Sequence, residues 1–391
     1  MTIVYHDDGT DRIGMAGKGM DLAKGHRITA TETRLVHVSE QTGWWHVVLR
    51  ADAGLCGTGE ASINPVPADL GPRLISAARV LVGRAVDEAT LDPLAILLDG
   101  DLVGRSVHAA LDQAVWDLRA QFAGQPLCRL LGRQGTSVQL YANINRTTRD
   151  RSAAGFADSA RRAAGVGHRC LKIAAFDGLR PDLCGTPEGE ALIAAGLERL
   201  RAVALEGMEV RVDCHWRFTP QAARTLIPAL AEIGVTWLEC PLPETAETIP
   251  ELKALRAEAN RHGLRTAGLE TFGGWAEVRP FVEGGAYDIV MPDVKHAGRL
   301  ADILDIADKA ARHDVAVSLH NPSGPVSHMV STHVAAALGA SERTEYQWNE
   351  SPLFFEITDP APRIEAGHAL LGDSPGLGVG LTPALQGEGT A

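Results

Sequence analysis

The chain has 391 residues, 45% of them hydrophobic and 22% charged, which suits a globular protein long enough for a β/α barrel plus a smaller domain. The formal net charge is −12 and no basic tract occurs, which excludes the clustered Lys and Arg that nucleic-acid binding requires. Nor is there an apolar run of about 18 residues, the length a membrane-spanning helix needs.

The N-terminal sequence Met-Thr-Ile-Val-Tyr-His-Asp-Asp is acidic and lacks a secretory apolar core. The six cysteines are scattered, with no Cys-x-x-Cys pair, so reduced thiols and a cytoplasmic location are expected. Residues Met1 to Lys24 are rich in Gly and Asp, show no period and read as a loosely held arm. From Ile28 to Ser62 the pattern becomes strand-like, with a hairpin turn expected at Ala53-Gly54. Pro65, Pro67 and Pro72 end that region. A helix is expected over Ser106–Phe122, because Val107, Leu111, Val115, Leu118 and Phe122 recur three or four apart and give one buried face. Gly124 and Pro126 close it. Residues 1–137 thus read as an α+β domain.

Strand–helix units begin at Val138-Gln-Leu-Tyr-Ala-Asn-Ile-Asn. Helical periods are expected over Glu188–Ala204, Pro220–Ile233, Thr248–Arg261 and Gly298–Arg312. Strands alternating with helices imply parallel β-structure with crossovers, here over residues 138–354. After Pro352 short Gly- and Pro-rich pieces follow, and residues 355–391 are expected to pack back on the N-terminal domain, the last of them disordered.

Six apolar runs in this region end in a carboxylate or a histidine: Val210–Asp213, Val235–Glu239, Thr266–Glu270, Asp288–Asp293, Val315–His320 and Arg343–Glu345. They recur about every 25 residues, the length of one barrel unit, and in a barrel all strand ends point to one face. Asp213, Glu239 and Glu270 would then meet. Three carboxylates forced together resist ionisation unless a cation is present, and an oxygen-only set favours magnesium over zinc. Three unrelated acids at helix N-termini would be the bland explanation for any one of them.

Asp293 and His320 end adjacent strands, about 5 Å apart, so a hydrogen bond between them is expected to hold one imidazole tautomer and raise its basicity. His215 lies two residues beyond Asp213 and, by strand alternation, on the same side. Lys172 ends the preceding run and reads as a fixed positive charge, a proton donor or simply a solvated lysine.

Taken together these residues resemble the enolase superfamily, and within it the mandelate racemase subgroup. The resemblance runs over nearly the whole chain. It includes Gly54-Leu-Cys-Gly-Thr-Gly-Glu60, Ala110-Leu-Asp-Gln-Ala-Val-Trp-Asp-Leu118, Trp237-Leu-Glu-Cys-Pro241 with Cys240 in the second place of a Glu-Glu-Pro motif, Gly268-Leu-Glu-Thr271, Met291-Pro-Asp-Val-Lys295 and Glu345. It implies a (β/α)7β-type modified TIM barrel under an α+β capping domain formed by the N-terminal region and the C-terminal tail. It also implies Mg²⁺ on Asp213, Glu239 and Glu270, an Asp293–His320 dyad that moves the proton α to a substrate carboxylate, and Glu345 facing the substrate or intermediate. The subgroup's racemases carry Lys-x-Lys on the second barrel strand. Here the run is Lys172-Ile173-Ala174, and alanine cannot take a proton, so racemisation by a second lysine is unavailable. A histidine at His215 resembles the acid-sugar dehydratases of the subgroup, where it protonates the departing hydroxyl.

The resulting expectation is a cytoplasmic, homo-oligomeric, Mg²⁺-dependent hydro-lyase acting on a small acid sugar. Its catalytic residues would be His320, Asp293, His215, Lys172 and Glu345. Arg217, Asn143, Asn145, Lys295 and Asn321 are candidates for holding substrate hydroxyls or a distal carboxylate. Lactone cycloisomerisation or one-base epimerisation on the same site, and a non-catalytic acid-sugar-binding paralogue, are the alternatives. Specificity is expected from capping stretches Met15–Lys24 and Leu55–Glu60.

Overall fold

The computed structural model describes residue 23 and residues 25–98, 100–132, 135–339 and 342–383. The arm expected over Met1–Lys24, its specificity stretch from Met15, and the end of the tail therefore lie outside the described residues, Ala23 apart.

The N-terminal part is an antiparallel sheet of β1 (Ile28–His37), β2 (Gly43–Ala51) and β3 (Cys56–Ala61), covered by helices α1 (Leu70–Val80), α2 (Asp92–Leu98), α3 (Leu102–Phe122) and α4 (Leu127–Leu130). The β2–β3 turn is where the sequence placed it, with Gly54 at a φ of 77° and its N–H donating to the Ala51 carbonyl at 3.0 Å. Helix α3 starts four residues before the expected Ser106, because the Asp101 side chain caps it by accepting from Gly104 N at 2.7 Å. Nor does α3 bury only one face: it is buried from Ser106 to Ala120, packed between the sheet and the loops of the second domain. Gly59 allows the close approach, since a Cβ there would stand 1.8 Å from the Ala110 carbonyl oxygen.

The second part alternates β4 (Ser137–Asn143), α5 (Ala153–Gly165), β5 (Cys170–Ile173), α6 (Pro187–Ala204), β6 (Glu209–Asp213), α7 (Pro220–Ile233), β7 (Val235–Glu239) and α8 (Ile249–Arg261). It continues with β8 (Arg265–Gly268), α9 (Gly274–Gly284), β9 (Ile289–Val290), α10 (Leu300–Ala311), β10 (Ala316–Val317), α11 (Pro325–Leu338) and β11 (Thr344–Gln347). Neighbouring strands from β4 to β10 pair in parallel, and β11 pairs with β4. Glu345 N donates to Leu319 O at 3.1 Å and Ser318 Oγ to Arg343 O at 2.7 Å, joining β11 to the chain beyond β10. This is the modified barrel over eight strands and seven helices among the described residues, with an α+β cap. Capping and turn chemistry explain the helix ends. Thr186 and Thr219 accept from Gly189 N and Ala222 N, Pro187 and Pro220 begin α6 and α7, and Gly234 ends α7 at a φ of 89°.

The strands are shorter than the apolar runs suggest. β8 ends at Gly268, two residues short of Glu270, and Leu269 turns at a φ of 72°. β9 and β10 keep two residues each, and Asp293 and His320 meet again as an isolated parallel bridge beyond them.

The tail runs through α12 (Leu353–Glu356), β12 (Thr358–Asp359), β13 (Arg363–Glu365), β14 (His368–Leu370) and β15 (Gly380–Leu381). Its β13–β14 hairpin pairs antiparallel with β4 of the barrel, while Gly376 and Leu377 bond to Gln125, Leu127 and the Asp117 side chain of the cap. The tail thus touches both parts rather than the cap alone.

Candidate active site

The C-terminal ends of the barrel strands and the cap enclose a cavity of about 410 Å³. Its floor includes Lys172, Asp213, Glu270, Lys295 and His320, and Ser62, Ile63, Asn64 and Leu102 of the cap contribute to its walls. Asp213, Glu239 and Glu270, from the ends of β6, β7 and β8, are buried, and each offers an oxygen within 4.8 Å of the others. The crowding shows in their acidities. Burial, with the charges of Asp213 and Glu239, pushes the Glu270 carboxyl well above its usual range. Burial pushes Glu239 up to about 8 even though the Lys172 ammonium opposes it. For Asp213 burial acts the same way but is outweighed by His215 and Lys172, which hold it low.

Lys172 is not a solvated lysine. It is fully buried, paired to Glu239 and, at 2.9 Å, to Glu345 Oε1. Burial alone would discharge it, but these carboxylates keep its pKa well above the ordinary lysine value. Glu345 also accepts from Asn143 Nδ2 at 2.7 Å and from Asn321 N at 3.1 Å. Burial would raise its pKa, yet Lys172 and His320 lower it to about 2.

His320 Nδ1 donates to Asp293 Oδ2 at 2.7 Å, which turns Nε2 to the cavity, 3.4 Å from Glu270 Oε2 and 3.7 Å from Glu345 Oε2. Asp293 is fully buried and also takes the Lys295 backbone N–H at 2.7 Å and the Lys295 ammonium at 2.5 Å. Burial would raise its pKa, but Lys295 and His296 hold it far below the carboxylate range. His215 Nε2 lies 2.8 Å from Asp213 Oδ2. It reaches that place by a different route from the strand alternation expected. β6 ends at Asp213, and His215 and Trp216 turn through left-handed conformations at φ 48° and 57°. The Asp213 charge raises the His215 pKa.

Asn143, Asn145 and Lys295 line the cavity as expected of substrate-facing residues, although Asn145 also accepts from Ala174 N at 2.5 Å. Two candidates do not. Arg217 donates to the Phe176 carbonyl at 2.6 Å and is not among the cavity-lining residues, because the left-handed turn before it directs it toward the β5–α6 loop. Asn321 Nδ2 donates to the Glu345 carbonyl at 3.1 Å, so it braces the floor from behind. The specificity stretch Leu55–Glu60 is also displaced: it is largely the buried strand β3, and Ser62–Asn64, just after it, faces the cavity instead.

Arg146, Trp216, Thr271 and His296 also line the cavity, beyond the residues expected from the sequence. His296 stands three residues after Asp293, with Nδ1 3.2 Å from the Glu270 carbonyl, and burial pushes its pKa down to about 4. A second histidine so close to a strand-end carboxylate was the available signal. Arg146, paired to Glu350 at 3.1 Å, had none beyond its place just after β4.

Residues 155–385 match the family model described as enolase C-terminal domain-like, and residues 27–132 match that of the mandelate racemase / muconate lactonizing enzyme N-terminal domain. The chain belongs to the enolase superfamily. Within it the mandelate racemase subgroup is indicated by both domains. A D-xylonate dehydratase of Haloferax volcanii is 24% identical over 90% of this chain and 86% of its own length. A D-galactonate dehydratase of Ralstonia nicotianae is 27% identical over 90% of this chain and 92% of its own. The crystal structure of a Zymomonas mobilis ZM4 protein, provisionally named a dehydratase, superposes with a TM-score of 0.82 at 21% identity, covering 93% of this chain and 98% of that one, and bears on the fold.

Enolase-superfamily proteins generally bind Mg²⁺, and the residues present fit such an ion. The three-residue set is all oxygen, lies at one point, and carries two carboxyls that resist ionising without a cation. Cys240, in the motif's second Glu place, leaves the set unchanged: its thiol is buried, pushed well above its usual pKa and 4.0 Å from Glu270 Oε2.

Proposed function

We propose that the protein is a hydro-lyase that dehydrates an acid sugar, an aldonate or aldarate, to a 2-keto-3-deoxy acid. The observation that carries this reading is the presence of two carboxylate-bonded histidines in one cavity: His320 on Asp293, and His215 on Asp213. Asp213, Glu239 and Glu270 would hold Mg²⁺, which supplies, when bound, a counter-charge for a substrate carboxylate and for the negative charge that develops as the α-proton leaves.

The remaining work falls to side chains of this chain. Asp293 holds the His320 tautomer whose Nε2 is free, so His320 takes the proton α to the carboxylate. Lys172 keeps Glu239 and Glu345 paired and supplies fixed positive charge beneath the carboxylate. His215 delivers a proton to the β-hydroxyl as it departs as water. The enol that remains tautomerises to the 2-keto acid. Ala174, at the end of β5, offers no second base, which weighs against two-base racemisation.

The names of the relatives favour dehydration over cycloisomerisation, and the identities of 24% and 27% leave the sugar open. A screen of aldonic and aldaric acids with Mg²⁺, detecting 2-keto product with semicarbazide, tests the reading and names the substrate. Turnover that EDTA abolishes is expected. Product lacking a C3 methylene by proton NMR would replace dehydration with epimerisation.

A further inference from the structure

The base dyad is fastened to the cap by two side chains that never reach the cavity. Glu60, at the end of β3, is fully buried. Its carboxylate accepts from Gly324 N at 2.8 Å, Val326 N at 3.1 Å and Ser327 N at 3.0 Å. These amides are at and just inside the start of α11, on the loop that leaves His320. The approach depends on Gly324, where a Cβ would fall 2.8 Å from Glu60 Oε2 and 2.7 Å from the Trp44 ring. The same carboxylate takes the Ser62 hydroxyl at 2.6 Å, and Ser62 begins the cap segment that faces the cavity.

Glu60 is in turn tied to the other half of the dyad. Its backbone N–H donates to Gln113 Oε1 at 2.9 Å, and Gln113 Nε2 donates to the Val294 carbonyl at 3.0 Å. Val294 follows Asp293 directly. Helix α3 holds the same loop twice more, through Asp112 to Leu300 N at 2.8 Å and Arg105 to the His296 carbonyl at 3.2 Å. One hydrogen-bonded line thus runs from the loop after His320, through Glu60 and Gln113, to the residue after Asp293. The strands beneath hold the dyad less fully: β9 and β10 end at Val290 and Val317, three residues before each member, and beyond them the Asp293–His320 bridge, with His320 N donating to the Pro292 carbonyl at 3.3 Å, continues the pairing.

We propose that Glu60 and Gln113 are positioning residues: the cap, through them, sets the alignment of His320 on Asp293. The inference rests on the reading that this dyad moves the α-proton. A proton transfer is sensitive to placement, and a misplacement of about 1 Å can cost about a hundredfold in rate.

The test is steady-state kinetics on the full-length, Mg²⁺-loaded protein, with D-galactonate and D-xylonate as first probes, comparing Glu60→Gln, Gln113→Met and Asp117→Asn. Glu60→Gln keeps the shape but weakens the three amide contacts, and Gln113→Met removes both bonds at similar volume. Both are expected to lower kcat by about tenfold or more with KM nearly unchanged. Asp117, equally buried on α3 but bonded to Thr58 N and Leu377 N, is the structural control. Asp117→Asn is expected to lower the unfolding midpoint and leave kcat near the wild-type value. Wild-type kcat and KM in either folded variant, with His320→Asn inactive, would overturn the inference and leave the dehydratase reading standing. Absence of turnover across the whole acid-sugar screen would overturn that reading and this inference with it.

Discussion

At the residue scale, the chemistry depends on which nitrogen of His320 is free. Asp293 occupies Nδ1, so Nε2 is the nitrogen that faces the cavity. His320→Asn removes the base but leaves Asp213, Glu239 and Glu270 in place. It should reduce kcat by about 10³-fold or more while Mg²⁺ titration shows unchanged binding; near-native turnover would refute the base assignment. The metal set makes a separate prediction. Mg²⁺ at about 100 times its Kd should stabilise the fold by about 2.7 kcal/mol, and Asp213→Asn should remove most of that gain in a thermal melt.

At the scale of elements, each strand end carries more than its own side chain. Lys172, on β5, keeps two carboxylates from β7 and β11 compensated inside the barrel. Lys172→Met leaves Glu239 and Glu345 buried without a partner, so it should cost about 3–5 kcal/mol in urea unfolding without added metal. A loss under about 1 kcal/mol would mean that the carboxylates relax into protonated forms unaided. The position of Lys172 at the end of an apolar run was legible in the sequence, but its burial was not, because that comes from strands distant in the chain. The same holds at β6. Asp213 could be read from its run, whereas His215 and Arg217 take their directions from a left-handed turn pinned by Trp216 N on the Cys240 carbonyl at 2.7 Å. Alternation gave the right side for His215 by the wrong route, and it gave no warning that Arg217 would turn away.

At the scale of the whole molecule, cap, barrel and tail are joined through buried histidines that fold neutral. Burial pushes His168, His328 and His333 down to about 4. His333 accepts from Cys128 N at 3.2 Å on Nδ1, while Nε2 lies 3.2 Å from the tail carbonyl of Leu377. Unfolded histidine titrates near about 6.5. Above that pH both states are neutral and stability is flat. As pH falls from about 6.5 toward about 4 the unfolded chain binds protons that the folded chain does not, and each histidine removes up to about 1.4 kcal/mol per pH unit. Asp117, which burial pushes up to about 6, acts oppositely over part of that window, as do Glu239, pushed up to about 8, and Glu270, pushed well above the usual carboxylate range. Urea midpoints at pH 7, 6 and 5 isolate one of these groups: on going to lower pH, His333→Gln should lose less stability than the wild type by about one histidine's share. An unchanged slope in that variant would show that His333 takes its proton without unfolding.

The sequence by itself determined the alternation of strands and helices, the three carboxylates, and the pairing of Asp293 with His320. It could do so because these depend on spacing along the chain, and a parallel barrel sends every strand end to the same face. The tertiary structure decided what spacing does not encode. It placed Ser62–Asn64 rather than Leu55–Glu60 against the cavity, because β3 is covered by α3. It buried Lys172 among carboxylates, turned Arg217 outward, and bonded Glu60 to amides 264 or more residues away. Each of these outcomes is a contact between segments far apart in sequence. The energy of such a contact lies in burial and in hydrogen bonds that exist only once the cap has closed on the barrel.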